Sequence, residues 1–314
     1  MLSLKRIISI IAASIAILFI GMIFLFYKTR ENKKEIEKEP ITETMVFVEG
    51  MNYSMPVPIP DSANFAGEPV PMDIFYVREQ FDRELTVNTY WHSSTILSIK
   101  RAARWFPVIV PILAKNGIPE DFKYLALIES GLLNVVSPAG ATGFWQFLEK
   151  TGKEYGLTIN NEVDERYHVA KATEAACAYL NKSYIKFSNW TLVASSYNAG
   201  QGRIDETIDK QQVRSYYHMF LPEETSRYIF RILAFKCIYE NQVKYGFKLA
   251  PGDLYDPLDI KTIKITESIS DLPAFAREHK TTYRMLKELN PWLRSDKLTV
   301  RGGEEFFIAL PNSF

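Results

Sequence analysis

From Ile7 to Tyr27 the chain carries no charged residue, and no other feature divides it so sharply into two materials. About 20 apolar residues are what one helix needs to cross a bilayer, so residues 1–27 are expected to form a transmembrane anchor. A cleaved leader would have an apolar core of about 7–15 residues followed by small residues at the cut. Phe24, Leu25, Phe26 and Tyr27 are bulky instead, and no cysteine follows that could carry a lipid. Lys5 and Arg6 precede the run, whereas Lys28, Arg30, Lys33, Lys34 and Lys38 follow it, so a literal count of positive charges favours a cytoplasmic body. Glu31, Glu35, Glu37 and Glu39 are interleaved, and acidic residues contribute little to that rule.

Residues 28–72 read as a tether. Its first part is charged and lacks apolar periodicity, and its second part holds Pro56, Pro58, Pro60, Pro69 and Pro71, which favour extended backbone. A body is expected over residues 73–250 and a small module over 259–312. Val77, Phe81 and Leu85 predict one helix, and Ile96, Ile99, Ala103 and Phe106 a second, which Pro107 and Pro111 should interrupt. Further helices are predicted over 170–187, 189–200 and 226–245. The body is therefore mainly α. After Pro257 the order is strand (260–265), helix (272–278), helix (283–289) and strand (305–310), a βααβ unit too small for an enzyme and suited to binding.

Lys plus Arg and Asp plus Glu both number 37, which leaves no basic field for nucleic acid. Cys177 and Cys237 form no framework and no metal-ligand spacing; two buried thiols or a single bridge are both open.

The chemistry starts on the predicted helix after Pro119. Phe122, Leu125 and Ala126 mark its apolar stripe, and the next position of that stripe is Glu129, two residues before a probable glycine stop at Gly131. Burial and the negative helix end both favour the protonated carboxyl, which makes a good general acid. A structural carboxylate paired with Arg or Lys fits the same spacing. No Asp or Glu occurs between Glu129 and Glu149, although glycoside cleavage ordinarily uses two carboxylates. That stretch instead offers Asn134, Ser137, Thr142 and Gln146 with Phe144 and Trp145 on glycine hinges, groups that can hold a sugar by hydrogen bonding and stacking.

Glu129-Ser130-Gly131-Leu132, the run Ser137 to Phe147, Thr151-Gly152 and Tyr155-Gly156-Leu157 resemble the soluble-lytic-transglycosylase domain, and within it the membrane-bound lytic murein transglycosylase D family. Ser196-Tyr197-Asn198-Ala199-Gly200 is similar to the family's AYNAG segment, with serine for the first alanine. Pro222-Glu223-Glu224-Thr225 with Tyr228 resembles a further signature, with Ser226 and Arg227 where Arg and Asn are common. Several motifs in one order are far more specific than any alone. The resemblance implies a lysozyme-like helical fold and non-hydrolytic cleavage of peptidoglycan glycan strands, with Glu129 as the single acid and base. It also implies that Ser137, Gln146, Tyr197, Asn198 and Tyr228 bind the sugar or orient Glu129, and it implies no metal or organic cofactor.

Asp271 to Ala276, Leu289-Asn290-Pro291 and Leu310-Pro311 resemble a LysM repeat, whose usual Gly-Asp-Thr is absent near Glu267-Ser268-Ile269. The module is thus either a sugar binder or a structural appendage. A muramidase using water would need a second acid, for which Asp164 and Glu165 are the candidates. A non-catalytic wall-binding protein would keep the groove alone. Since peptidoglycan lies outside the inner membrane, the resemblance implies a periplasmic body against the literal charge count.

Overall fold

The computed structural model describes residues 21–23, 25, 28 and 55–312. The chain divides into Met1–Met55 and Pro56–Phe314. In the first unit positions 21–23, 25 and 28 are helical and Met55 is not. Most of the expected anchor and tether lies outside the described residues, and among those described no helix is long and apolar enough to cross a membrane.

The second unit opens with a two-residue hairpin, β1 (Asn64–Phe65) paired antiparallel to β2 (Glu68–Pro69). Ala66 and Gly67 both turn through positive φ there. Eight α-helices follow: α1 (Phe75–Tyr90), α2 (His92–Lys115), α3 (Phe122–Ser130), α4 (Glu149–Glu154), α5 (Val169–Phe187), α6 (Trp190–Ala199), α7 (Gln201–Gln211) and α8 (Glu223–Glu240). Their starts have local causes. Asn189 Oδ1 accepts from Leu192 N at 2.8 Å to cap α6, and Glu223 and Glu224 face the positive end of α8. Helix α1 packs on α8, α2 on α5, and α3 on both α2 and α8, around a core that includes Phe81, Ile99, Phe122, Leu125, Trp145 and Ile229.

Pro107 and Pro111 do not end the second helix, as their residue type predicts; α2 runs through both. Both prolines are exposed and lie four residues apart on one face, and they deprive the carbonyls of Ala103 and Pro107 of their helical N–H partners. The opposite face buries Ile99, Ala102, Phe106, Ile109 and Leu113, and burying such side chains contributes about 1.5–3 kcal/mol each for the larger ones, which outweighs the proline penalty. The last long helix is shorter than expected, ending at Glu240, with a 3-10 turn over Gln242–Tyr245.

The C-terminal module is βααβ. Strand β3 (Ile260–Ile265) pairs antiparallel with β4 (Phe306–Pro311), Ile260 opposite Pro311 and Ile265 opposite Phe306, and α9 (Leu272–Glu278) and α10 (Tyr283–Leu289) cover one face. Asp271 and Thr282 cap the two helices through Ala274 N and Met285 N. Leu272, Leu286, Leu293, Ile308 and Leu310 form a core separate from that of the body, and Val163 of the body is buried in it. The joining segment is pinned to α2, where Arg104 Nε donates to Asp256 O at 2.8 Å and Lys100 and Arg104 lie over the Tyr255 ring. The mainly α body followed by a small βααβ module is the architecture that the sequence leads one to expect.

Candidate active site

Helix α3 delivers Glu129 at its C-terminal end. Phe122, Leu125 and Ala126 are buried, and Glu129, one turn on, is half-buried. The helix stops because Gly131 takes a left-handed φ of 62°, its N–H donating to Leu127 O at 2.7 Å. Leu132 follows at φ 55°, so the chain turns back at once. Arg101 Nε fixes the turn by donating to Gly131 O at 2.5 Å, and Ser130 Oγ donates to Phe144 O at 3.0 Å, joining the helix end to the loop beyond it.

Burial holds the Glu129 carboxyl above the ordinary carboxylate range. The Tyr228 hydroxyl donates to its Oε1 and, with the positive charge of Arg231, pulls the other way, while Glu224 adds to the rise. The alternative of a structural ion pair is not what the site contains. Among the described residues no Lys or Arg pairs with Glu129, and Arg231 instead donates to Ile128 O at 3.2 Å. Burial and then the nearby Glu129 charge push both Tyr197 and Tyr228 well above the usual phenol range, so both hydroxyls stay donors.

The loop over 133–148 is a braced scaffold. Thr142 bridges Val136 on one side and Phe147 on the other. Gly143 has φ 80°, and a Cβ there would sit 2.0 Å from Arg166 O, so no other residue fits. Phe144 and Trp145, expected to be available for stacking, are buried; Trp145 Nε1 donates to Thr173 Oγ1 at 2.9 Å and the ring belongs to the core. Of the predicted sugar binders, Gln146 donates through Nε2 to Gly143 O at 2.7 Å and Val135 O at 3.1 Å, and Ser137 Oγ accepts from Ala141 N at 3.0 Å. Both brace the loop.

The other three predicted residues converge on Glu129 or its neighbours. Tyr197 Oη donates to Trp145 O at 2.6 Å. Asn198 accepts from Thr225 Oγ1 at 2.9 Å and donates to Glu224 Oε1 at 3.4 Å, tying the end of α6 to the start of α8. Tyr228 holds Glu129 directly. Sequence reasoning missed Glu224 and Arg231, although their spacing from Tyr228, four residues before and three after, puts all three on one helix face. Glu223, Glu224, Arg227 and Arg231 line a cleft of about 300 Å³. The second-acid candidates are both committed elsewhere, Asp164 to Arg166 at 2.7 Å and Glu165 to Lys171. Among the described residues no three His, Cys, Asp or Glu side chains are grouped to hold a metal ion.

Residues 108–220 match the Transglycosylase SLT domain, and residues 261–313 match the Soluble lytic transglycosylase C-terminal LysM-like domain; the chain carries both. It is homologous to Membrane-bound lytic murein transglycosylase D of Escherichia coli K12, with 30% identity over 183 residues, 56% of this chain and 40% of that one. The counterpart from Escherichia coli O6:H1 matches with the same figures. The alignment thus spans less than half the length of these relatives. Among solved structures, the 70 kDa soluble lytic transglycosylase of Escherichia coli is 20% identical with a TM-score of 0.37, covering 49% of this chain and 27% of that one. An inactive mutant of the lytic transglycosylase Slt from Pseudomonas aeruginosa is 17% identical with a TM-score of 0.36, covering 59% and 36%.

Proposed function

We propose that the chain is a peptidoglycan lytic transglycosylase in which Glu129 acts first as acid and then as base. The observation that carries this reading is the Glu129 carboxyl at the end of α3, its pKa raised by burial and its Oε1 held by Tyr228, in a chain that carries the SLT domain. Tyr228 donates to Oε1, so the proton of the acid form belongs on Oε2, from which it passes to the glycosidic oxygen between N-acetylmuramic acid and N-acetylglucosamine. As that C–O bond breaks, the 6-hydroxyl of the muramoyl sugar bonds to C1 and gives its proton to the Glu129 carboxylate, which regenerates the acid. The product carries a 1,6-anhydro end. The substrate supplies the nucleophile, so no second carboxylate is needed. Tyr197 and Asn198 shape the site from α6, and Ser137 and Gln146 hold the loop that borders it. The catalytic body is residues 73–250 and the LysM-like module residues 259–312. We place the enzyme in the cell envelope, anchored by residues 1–27 with its body in the periplasm, because its polymer substrate lies there.

Hydrolysis on the same site is the second reading, favoured by one observation: the charge of Glu224 reaches Glu129. Mass spectrometry of peptidoglycan digested with the wild type, Glu129→Gln and Glu224→Gln separates the two. Anhydro ends from the wild type and Glu224→Gln, with none from Glu129→Gln, are expected. Reducing ends that vanish in Glu224→Gln would establish a muramidase, and no cleavage by any of the three would leave a binding protein.

A further inference from the structure

We infer that the C-terminal module is a clamp on the catalytic loop, acting through Arg166 as a positioning residue; the inference rests on the transglycosylase reading of Glu129. The clamp is built from the body segment over 158–168, which lies between the module and the loop. On the module side, Asp164 N donates to Trp292 O at 2.9 Å and Arg294 N donates to Glu162 O at 2.7 Å. The Glu162 carboxylate accepts from Thr299 N at 2.7 Å and pairs with Lys297 at 3.3 Å. Val163, between these two acids, is buried in the module's own core and bridges Leu293.

On the loop side the same few residues face inward. Asp164 grips Arg166 through both carboxylate oxygens, Nε to Oδ1 at 3.0 Å and Nη2 to Oδ2 at 2.7 Å. That fork leaves Nη1 to donate to Gly140 O and Phe147 O, each at 3.2 Å, which spans the two arms of the catalytic loop. Arg166 O also presses on Gly143, where no Cβ fits. From the loop, the carbonyls of Phe144 and Trp145 reach Ser130 and Tyr197, the first next in sequence to Glu129 and the second within range of its charge. Hydrogen bonds joined by short stretches of loop backbone thus run from Trp292 in the module to Ser130 and Tyr197, the residues beside the catalytic carboxyl.

A sugar-recruiting module and a clamping module differ in what their loosening does. A recruiter changes how much polymer is held at low concentration and leaves the turnover of a short fragment alone. A clamp changes the turnover of any substrate, because misplacing a reacting group by about 1 Å can cost on the order of 100-fold.

The test uses the full chain with Arg166→Lys, which keeps the charge and loses the fork, and Glu162→Ala, which loosens the seam without touching the loop. Each is assayed on intact sacculi and on a soluble two-disaccharide glycan, and amide hydrogen exchange is followed over 137–147. The clamp predicts that kcat falls on both substrates, about 10-fold or more for Arg166→Lys and about 3-fold or more for Glu162→Ala, with KM on the short glycan within about twofold. It also predicts faster exchange at Thr142, Gly143 and Phe147 in both variants. Loss confined to sacculi, with unchanged loop exchange, would overturn it in favour of recruitment. A wild type that cuts neither substrate would sink the transglycosylase reading, and the exchange rates would still decide whether the module holds the loop.

Discussion

Glu129 is poised by opposed effects of named groups. Burial lifts its pKa, and the Tyr228 hydroxyl and Arg231 charge keep that rise in check. Tyr228→Phe removes a donor to the carboxylate and so favours the acid further. The alkaline limb of kcat/KM, where the free enzyme loses its acid proton, should therefore move to higher pH, while the plateau falls by about 10-fold as the carboxyl loses its orientation; a pH–rate profile on soluble glycan checks both. A limb that moves to lower pH would contradict the hydrogen bond as the cause. Glu129 itself was legible in the sequence, because a carboxylate on an apolar stripe is a conflict that only function or pairing resolves. Arg166 was not. Its guanidinium serves carbonyls 26 and 19 residues away, and no local pattern announces partners at that range. The burial of Trp145 was hidden for the same reason, since a Gly-Phe-Trp-Gln run reads alike whether its rings face sugar or core.

Period and punctuation carried the reading of the elements. The module helices α9 and α10 fall where the sequence puts them, over 272–278 and 283–289, and the structure adds their caps, Asp271 and Thr282. Helix α2 is the informative failure. A propensity argument stops it at Pro107, but the buried face from Ile99 to Leu113 is continuous through both prolines. If packing alone carries the helix across them, Pro111→Ala restores a backbone bond to Pro107 O and should stabilise the fold by about 1–3 kcal/mol, read as a rise in the denaturation midpoint with unchanged m-value. A loss of stability would mean that α2 needs the bend the prolines impose. The hairpin at Ala66-Gly67 escaped the proline-rich reading because two-residue strands carry no alternation to detect.

At the scale of the molecule, the body is fastened at both ends. The module closes on the segment over 158–168, and the hairpin docks through its turn, where Asp121 accepts from Ala66 N at 2.7 Å while also pairing with Lys236. Glu68 caps α6 from outside it, accepting from Trp190 N at 2.6 Å and Thr191 N at 2.9 Å. Since α6 ends in Tyr197 and Asn198, Glu68→Ala should cost about 1–2 kcal/mol of stability and lower activity in proportion to the fraction unfolded, with KM unchanged, by thermal melts and kinetics on one preparation. A fall in kcat well below the melting range would instead place the hairpin in the active-site scaffold. The two cysteines set a practical property of the whole chain. Both are free, Cys177 with its thiol pushed up to about 12 by burial and Cys237 raised by burial, which the hydrogen bond to the Tyr245 hydroxyl 3.0 Å away partly offsets. Burial disfavours both thiolates, so a cysteine introduced on the surface should react with a thiol label faster than the native pair, and spectroscopic reporters could follow loop and module.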